Sequence, residues 1–290
     1  VLNGMMAPIS PEVTQLHLEK GAETTARPHL ERAVAYYDTI LQRPNTPYKW
    51  ESHFNRAYAL QTMGSAASEA RAERAYQTLI EEANPSYVRR SLLQLSELSF
   101  KRGDYALSDS LANQVLVLFP DAEGLDNAHM RRALALQGME RYEDSTDEFL
   151  QVAEDSPHYA SSRLGAGHQL LEQEQYDKAL DVLNEGVDNA DAKQSQSFLY
   201  LIAQAYSGQA NWPEAVRAYS DLIEAAPEGD LLVASRLARV NAALSNSEPA
   251  LAESDLRWVL KSVSDPEKVR YARETLTLLY LKENRSSEAV

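Results

Sequence analysis

Tyr105-Ala106-Leu107, Tyr142-Glu143-Asp144, Tyr176-Asp177-Lys178-Ala179 and Trp212-Pro213-Glu214-Ala215 are four copies of one signal. Each places an aromatic residue at the start of an amphipathic helix, directly after a short polar turn. Three of these helices are expected to end at a proline (Pro120, Pro157, Pro227) and the fourth at Asn189-Ala190-Asp191. A signal recurring about every 34 to 37 residues marks a stack of small helical units, each unable to bury its apolar face alone.

The stretch from Arg89 to Pro120 shows the unit in full. Leu92, Leu95 and Ser96 lie on a first helix. Lys101-Arg102-Gly103-Asp104 forms the turn, where Gly103 can take the positive φ that stops a helix. Tyr105 opens a second helix with Ser108, Ala112, Val115 and Leu116, and Pro120 blocks its continuation. Apolar and small residues recur at intervals of three and four, the helical amphipathic period. The next copies follow the same frame: Ala133 and Leu136 with Ser145, Phe149 and Val152; Gly167 and Leu170 with Tyr176, Ala179 and Leu183; Ala203 and Tyr206 with Trp212, Ala215 and Tyr219. Ser96, Ala133, Gly167 and Ala203 share one small position, and Ser108, Ser145, Ala179 and Ala215 another. Joined helices can approach closely only where one side chain is small.

With Leu95, Tyr206, Gly103, Tyr105, Ala179, Phe149 and Pro157 at the matching places, the chain resembles the tetratricopeptide repeat family. Ser108 and Ser145 replace the family's alanine, and Glu140 its turn glycine. The resemblance implies an all-α fold, an α-solenoid of stacked antiparallel helix pairs in a right-handed superhelix. The expected copies are 11–45 (degenerate, with Ala33, Tyr37, Leu41 and Pro44), 50–86, 89–121, 126–158, 160–192, 196–228, 231–265 and a half copy 268–290. Copy 50–86 carries a longer inter-helix segment, Gly64-Ser65-Ala66-Ala67-Ser68, and copy 231–265 a slightly long turn at Ser245-Asn246-Ser247. Together they read as one array of about six and a half repeats.

Composition bounds the function. Apolar residues make up 44% of the 290, enough for a continuous core, and a formal charge of −15 opposes phosphate backbones and anionic membranes. No basic run exceeds two residues. There is no cysteine, so disulfides, thiolate metal sites and cysteine nucleophiles are excluded. No stretch approaches the ~18 apolar residues of a membrane span. The six histidines show no metal-binding spacing. Gly165-Ala166-Gly167 falls inside a first helix rather than after a strand, and no nucleophile-elbow motif occurs. No catalysis and no cofactor are expected. The opening Val1-Leu2-Asn3-Gly4 and the stop at Glu288-Ala289-Val290 read as a piece of a longer protein.

The expected function is a protein–protein interaction scaffold. In the family it resembles, first helices line a concave groove. By register that groove comprises Phe54, Tyr58, Leu93, Gln94, Glu97, Met130, Arg131, Leu134, Leu164, His168, Tyr200, Gln204, Arg236 and Arg239. Aromatic and aliphatic anchors among polar groups suit a peptide segment of a partner. Arg236 and Arg239, one turn apart, could hold a carboxylate. The lysine-based clamp with which some co-chaperones of the family grip a C-terminal carboxylate has no counterpart at the matching positions. The half copy leaves Leu276, Leu279 and Tyr280 short of cover, so more protein or a partner is expected over that end. The acidic balance, the absence of cysteine and the degenerate repeats resemble bacterial envelope members of the family; the sequence does not fix the compartment, and the resemblance favours the periplasm or an outer-membrane association over the cytoplasm. The alternative is the substrate- or polymer-recognition arm of a larger enzyme or exporter.

Overall fold

A computed structural model describes residues 23–43, 45–225 and 228–285, with side chains from residue 27 onward. Among the described residues there are fourteen helices and no strand. They are α1 (Glu23–Leu41), α2 (Lys49–Thr62), α3 (Ala66–Glu82), α4 (Pro85–Lys101), α5 (Tyr105–Leu118), α6 (Asp126–Gly138), α7 (Tyr142–Leu150), α8 (Tyr159–Glu172), α9 (Tyr176–Val187), α10 (Ala192–Gly208), α11 (Trp212–Glu224), α12 (Gly229–Ser245), α13 (Pro249–Ser262) and α14 (Pro266–Lys282). The chain divides into two compact units, one up to Asp144 and one from Ser145. Successive helices pack on one another from α1 to α6 in the first unit and from α8 to α14 in the second, and first helices touch across repeats: α2 on α4 and α4 on α6 in the first unit, α8 on α10 in the second.

The four aromatics that opened the reading are the first residues of α5, α7, α9 and α11. The turn before each has one geometry. Gly103, Glu140, Glu174 and Ala210 all adopt positive φ, as do Gly64, Ser247 and Asn284 in the flanking copies. After α4, Gly103 N–H donates to Phe100 O and Asp104 N–H to Ser99 O. The same pair recurs after α6 (Glu140 to Gln137, Arg141 to Leu136), after α8, after α10, after α12 and after α14. This two-bond closure satisfies carbonyls that the helix end leaves bare. Glycine fills the left-handed position in two copies; elsewhere a β-carbon is forced into it.

The constant turn corrects two expectations. Gly64 and Ser247 occupy the standard left-handed position, so neither turn is long. The extra residues of copy 50–86 extend α3, whose start is fixed by a reciprocal Ser65–Ser68 capping box. Helix α7 also stops at Leu150, well before Pro157, and Val152 is buried outside it. The reason is Arg163 on α8: its guanidinium donates to Phe149 O at 3.1 Å and Val152 O at 3.4 Å and covers the Tyr159 ring at 4.3 Å. A buried cation thus caps the shortened helix. Helix α5, in contrast, runs to Leu118, just ahead of Pro120. Pro44, Pro227, residues 11–22 of the degenerate copy and Ala289 lie outside the described residues.

Small residues set the packing. Ser96 and Ser108 are fully buried, and Ser96 Oγ donates to Ser108 O at 2.7 Å. At Gly167 a β-carbon would lie 2.4 Å from Leu183 Cδ2. The opening tyrosines reach forward to the next first helix. Tyr105 lies against Gly138, and Tyr176 against Gly208, so closely that a β-carbon would meet the ring at 2.8 and 2.2 Å respectively. The repeat's aromatic and its following glycine are one contact. Around these seams Tyr76, Leu60, Leu79, Leu92 and Leu98 fill the first unit, and Phe198, Leu183, Leu222 and Leu256 the second. Each such side chain contributes about 1.5–3 kcal/mol on burial. Leu276, Leu279 and Tyr280 are buried in the same core as α13, so the residues expected to lack cover already have it. The exposed apolar side chains of α14 are Tyr271, Leu278 and Leu281.

Candidate functional site

In the first unit, α2, α4 and α6 present one row of first helices. Tyr58 and Leu93 are half-buried against the core, and Met130 and Leu134 are half-buried on α6. Glu97 joins α4 to α6: its carboxylate lies 2.8 Å from Lys101 Nζ and 3.8 Å from Arg131 Nη2. Arg131 also covers the Phe100 ring at 5.5 Å. Burial pushes its pKa below the usual guanidinium range, against the opposing charge of Glu97. Gln94 sits beside them, half-buried, and its Oε1 has no hydrogen-bond donor among the described residues. A buried amide oxygen without a partner is costly.

Phe54 does not belong to that surface. It is 5% exposed, with ring centroids of Tyr76 and Tyr87 at 5.8 and 6.2 Å and the guanidinium of Arg90 lying 4.0 Å over it. The register that put Phe54 outward ignored α3, whose Tyr76 needs that neighbour. Arg90 takes its place at the edge, and sequence reading missed it.

In the second unit, Leu164 and Tyr200 pack partly on the core and His168 is exposed. Tyr200 meets Tyr219 edge to face at 6.2 Å, and burial raises its phenol pKa. Gln204 is half-buried one turn on. Arg236 and Arg239 were expected to face a ligand carboxylate. Instead both turn to Asp255 on α13. Arg239 donates from Nε and Nη2 at 2.8 Å each, and from Nη1 to Ser220 Oγ at 2.9 Å. Arg236 donates from Nη1 to Asp255 and lies 4.5 Å over Trp258. Asp255 is completely buried and Arg239 is 8% exposed. The pair of arginines does hold a carboxylate, but the chain supplies it. A signal was available: Asp255 occupies the second-helix position filled by Leu111, Val182 and Ala218 in other copies.

Among the described residues no cluster of histidine, aspartate and glutamate has the form of a metal site. No described helix is long and apolar enough to cross a membrane.

Helix pairs repeated with one turn geometry and one small-residue seam define an α-solenoid built from helix hairpins. Residues 130–193 and 198–229 match the tetratricopeptide repeat family, and the chain is a tetratricopeptide repeat protein. No curated protein sequence matches it. Among solved structures, it is similar to the C-terminal part of a repeat-containing protein from Cytophaga hutchinsonii, with a TM-score of 0.66 at 13% identity over 89% of this chain and 98% of that one. It is also similar to YrrB, described as a repeat protein with an unusual peptide-binding site, with a TM-score of 0.57 at 15% identity over 70% and 99%. The apo form of RapI aligns with a TM-score of 0.56 at 17% identity over 83% and 93%. At these identities the likeness is one of fold.

Proposed function

We propose that the protein is a non-catalytic scaffold whose first-helix surface on α2, α4 and α6 binds an extended segment of a partner protein. The observation that carries this reading is the row of half-buried Tyr58, Leu93, Met130 and Leu134 on α2, α4 and α6, with the Glu97–Arg131 pair joining α4 to α6. Apolar side chains of an extended peptide would seat on the half-buried aliphatics, and its polar groups would meet Glu97 and Arg131 at the rim. The second unit offers a smaller equivalent at Leu164, His168, Tyr200 and Gln204. Arg236 and Arg239 are structural and leave the proposed site. The fold's usual employment in protein interaction supports the reading, as does the peptide-binding site ascribed to YrrB. Assembly of an envelope complex is the finer version, favoured by the acidic balance and lack of cysteine.

The test is photo-crosslinking from position 134 in the native cell, followed by recovery with Leu93→Glu/Leu134→Glu. Specific crosslinks to a protein, lost in the double variant at unchanged helicity, are expected. Recovery that is indifferent to both substitutions would overturn the reading.

A further inference from the structure

One feature of the first unit is unlike the rest of this acidic molecule. A cleft of about 330 Å³ lies between α2 and α3, lined by His53, Arg56, Arg71, Arg74, Ala75 and Thr78. In sequence the cations are dispersed. Folding gathers them, because His53 and Arg56 are three apart on α2, and Arg71, Arg74, Ala75 and Thr78 follow one face of α3. Ala75 is the small residue that leaves the space open.

The charges in the cleft are not neutralised evenly. Arg56 has a counterion, Asp38 on α1, at 2.6 Å. Glu73, also on α3, is committed to Arg102 at 2.7 Å. Arg71 and Arg74 have no ion pair among the described residues and are exposed. The imidazole of His53 senses this field: burial first, then the charges of Lys49 and Arg56, lower its pKa below the usual histidine value, with Glu82 opposing. Two free guanidinium groups beside a third and an imidazole form a donor-rich, acceptor-poor surface. In a chain carrying −15 overall, such a surface attracts a short anionic group while the surrounding field rejects a long polyanion.

We infer that the α2–α3 cleft is a second binding site, separate from the first-helix surface, that takes an acidic peptide segment of a partner through its carboxylate or phosphoryl oxygens. Arg71 and Arg74 supply the principal contacts, and Arg56, already paired, positions the opposite wall. Fork-shaped guanidinium groups bind both oxyanion types by parallel hydrogen bonds. The volume admits an acidic side chain with its backbone rather than a nucleic-acid strand.

Fluorescence anisotropy of labelled peptides tests this. One peptide is glutamate-rich, a second carries phosphoserine at the same places, and a third carries glutamine. An oligothymidylate serves as the competing polyanion. Binding of one or both acidic peptides is expected, with none for the glutamine peptide, and the tighter of the two identifies the source of the oxyanion. Arg71→Glu/Arg74→Glu is expected to weaken binding by about tenfold or more, as does loss of close charge pairs at interfaces. Arg71→Gln/Arg74→Gln gives a smaller loss in the same direction and guards against misfolding. Arg270→Glu/Arg273→Glu makes the same change in net charge on exposed α14 positions and is expected to leave affinity within about twofold, since exposed charges are screened beyond about 8 Å at physiological salt. The inference is overturned if neither acidic peptide binds, if the α14 variant loses as much as the cleft variant, or if the oligothymidylate binds as tightly. Leu93→Glu/Leu134→Glu leaves the cleft intact, so failure here and failure of the first-helix surface give different results.

Discussion

Arg239 holds Asp255 by two parallel hydrogen bonds, Nε to Oδ2 and Nη2 to Oδ1, both 2.8 Å, at a place where the carboxylate has no solvent contact. With Arg236 on the same carboxylate and Ser220 on the same guanidinium, three consecutive helices, α11 to α13, meet at one buried ionic node. Two positive charges against one negative is a net charge held within the second unit.

Removing the carboxylate would leave that charge uncompensated. Asp255→Leu is expected to destabilise the second unit by about 3–5 kcal/mol, the usual loss when one partner of a buried pair is deleted. Replacing all three groups, as Asp255→Leu/Arg236→Leu/Arg239→Met, should recover most of it, because apolar side chains of similar volume need no compensation. Urea unfolding of the three proteins measures both steps. A triple variant no more stable than the single one would show that the node contributes more than charge balance.

Gly167 makes a second prediction with a sign opposite to helix propensity. In an exposed helix, alanine is better than glycine by about 1 kcal/mol. At Gly167 the added methyl would lie 2.4 Å from Leu183 Cδ2 and 2.6 Å from its Cγ. Overpacking of this kind costs about 1–3 kcal/mol. Gly167→Ala is therefore expected to lower stability, and Gly167→Ala/Leu183→Ala to lose less than the sum of its single variants. Thermal unfolding decides it, and a stabilised Gly167→Ala would mean that the α8–α9 seam yields easily.

The turns give a prediction of the other sign. Ala210 sits at φ +56° and Glu140 at φ +60°, in the position that Gly103 fills at φ +79°. A β-carbon there costs roughly 1–2 kcal/mol. Glycine removes that strain but adds freedom to the unfolded chain. Ala210→Gly should therefore stabilise by about 0.5–1 kcal/mol, and Gly103→Ala should destabilise by a similar amount. Equal melting temperatures for Ala210→Gly and the parent would indicate that the Schellman bonds from Ala210 and Asn211 already offset the strain.

Helix starts, small-residue seams and the stacking unit were legible because they follow from local rules: an aromatic after a turn, a period of three and four, a small residue where helices touch. The turn geometry was only half legible. Gly103 announced its positive φ, whereas Glu140, Glu174 and Ala210 adopt it because the helices they join impose it. Surface assignment failed where a second element decides exposure. Phe54 satisfies the first-helix register, but α3 closes over it with Tyr76. Arg236 and Arg239 satisfied the ligand-binding pattern, yet the carboxylate came from Asp255, nineteen and sixteen residues onward. The basic cleft was invisible as a run of charge, since it exists only when α2 and α3 pair.

Glu253 predicts how the C-terminal helices respond to acid. Its carboxylate accepts from Arg285 Nη1 at 2.7 Å and from Tyr280 Oη at 3.0 Å, with Arg257 Nη2 at 2.8 Å. The Arg285 hydrogen bond is the largest influence; burial opposes it; the Tyr280 bond and the charges of Arg285 and Arg257 add to it. Together they hold the pKa down to about 2, from an ordinary 4.5. A carboxylate whose pKa is depressed by folding binds fewer protons folded than unfolded, so its contribution is fully present above the unfolded pKa. That contribution falls as the pH drops from about 4.5 towards about 2. Glu253→Gln lacks the titrating group. Its stability should be lower than the parent's at pH 7, and the difference should narrow across that interval. Urea unfolding followed at pH 7, 4 and 2.5 measures the narrowing. A constant difference would place the stabilising effect of Glu253 in its hydrogen-bonding shape, and its charge would then have no part in holding α14 to α13.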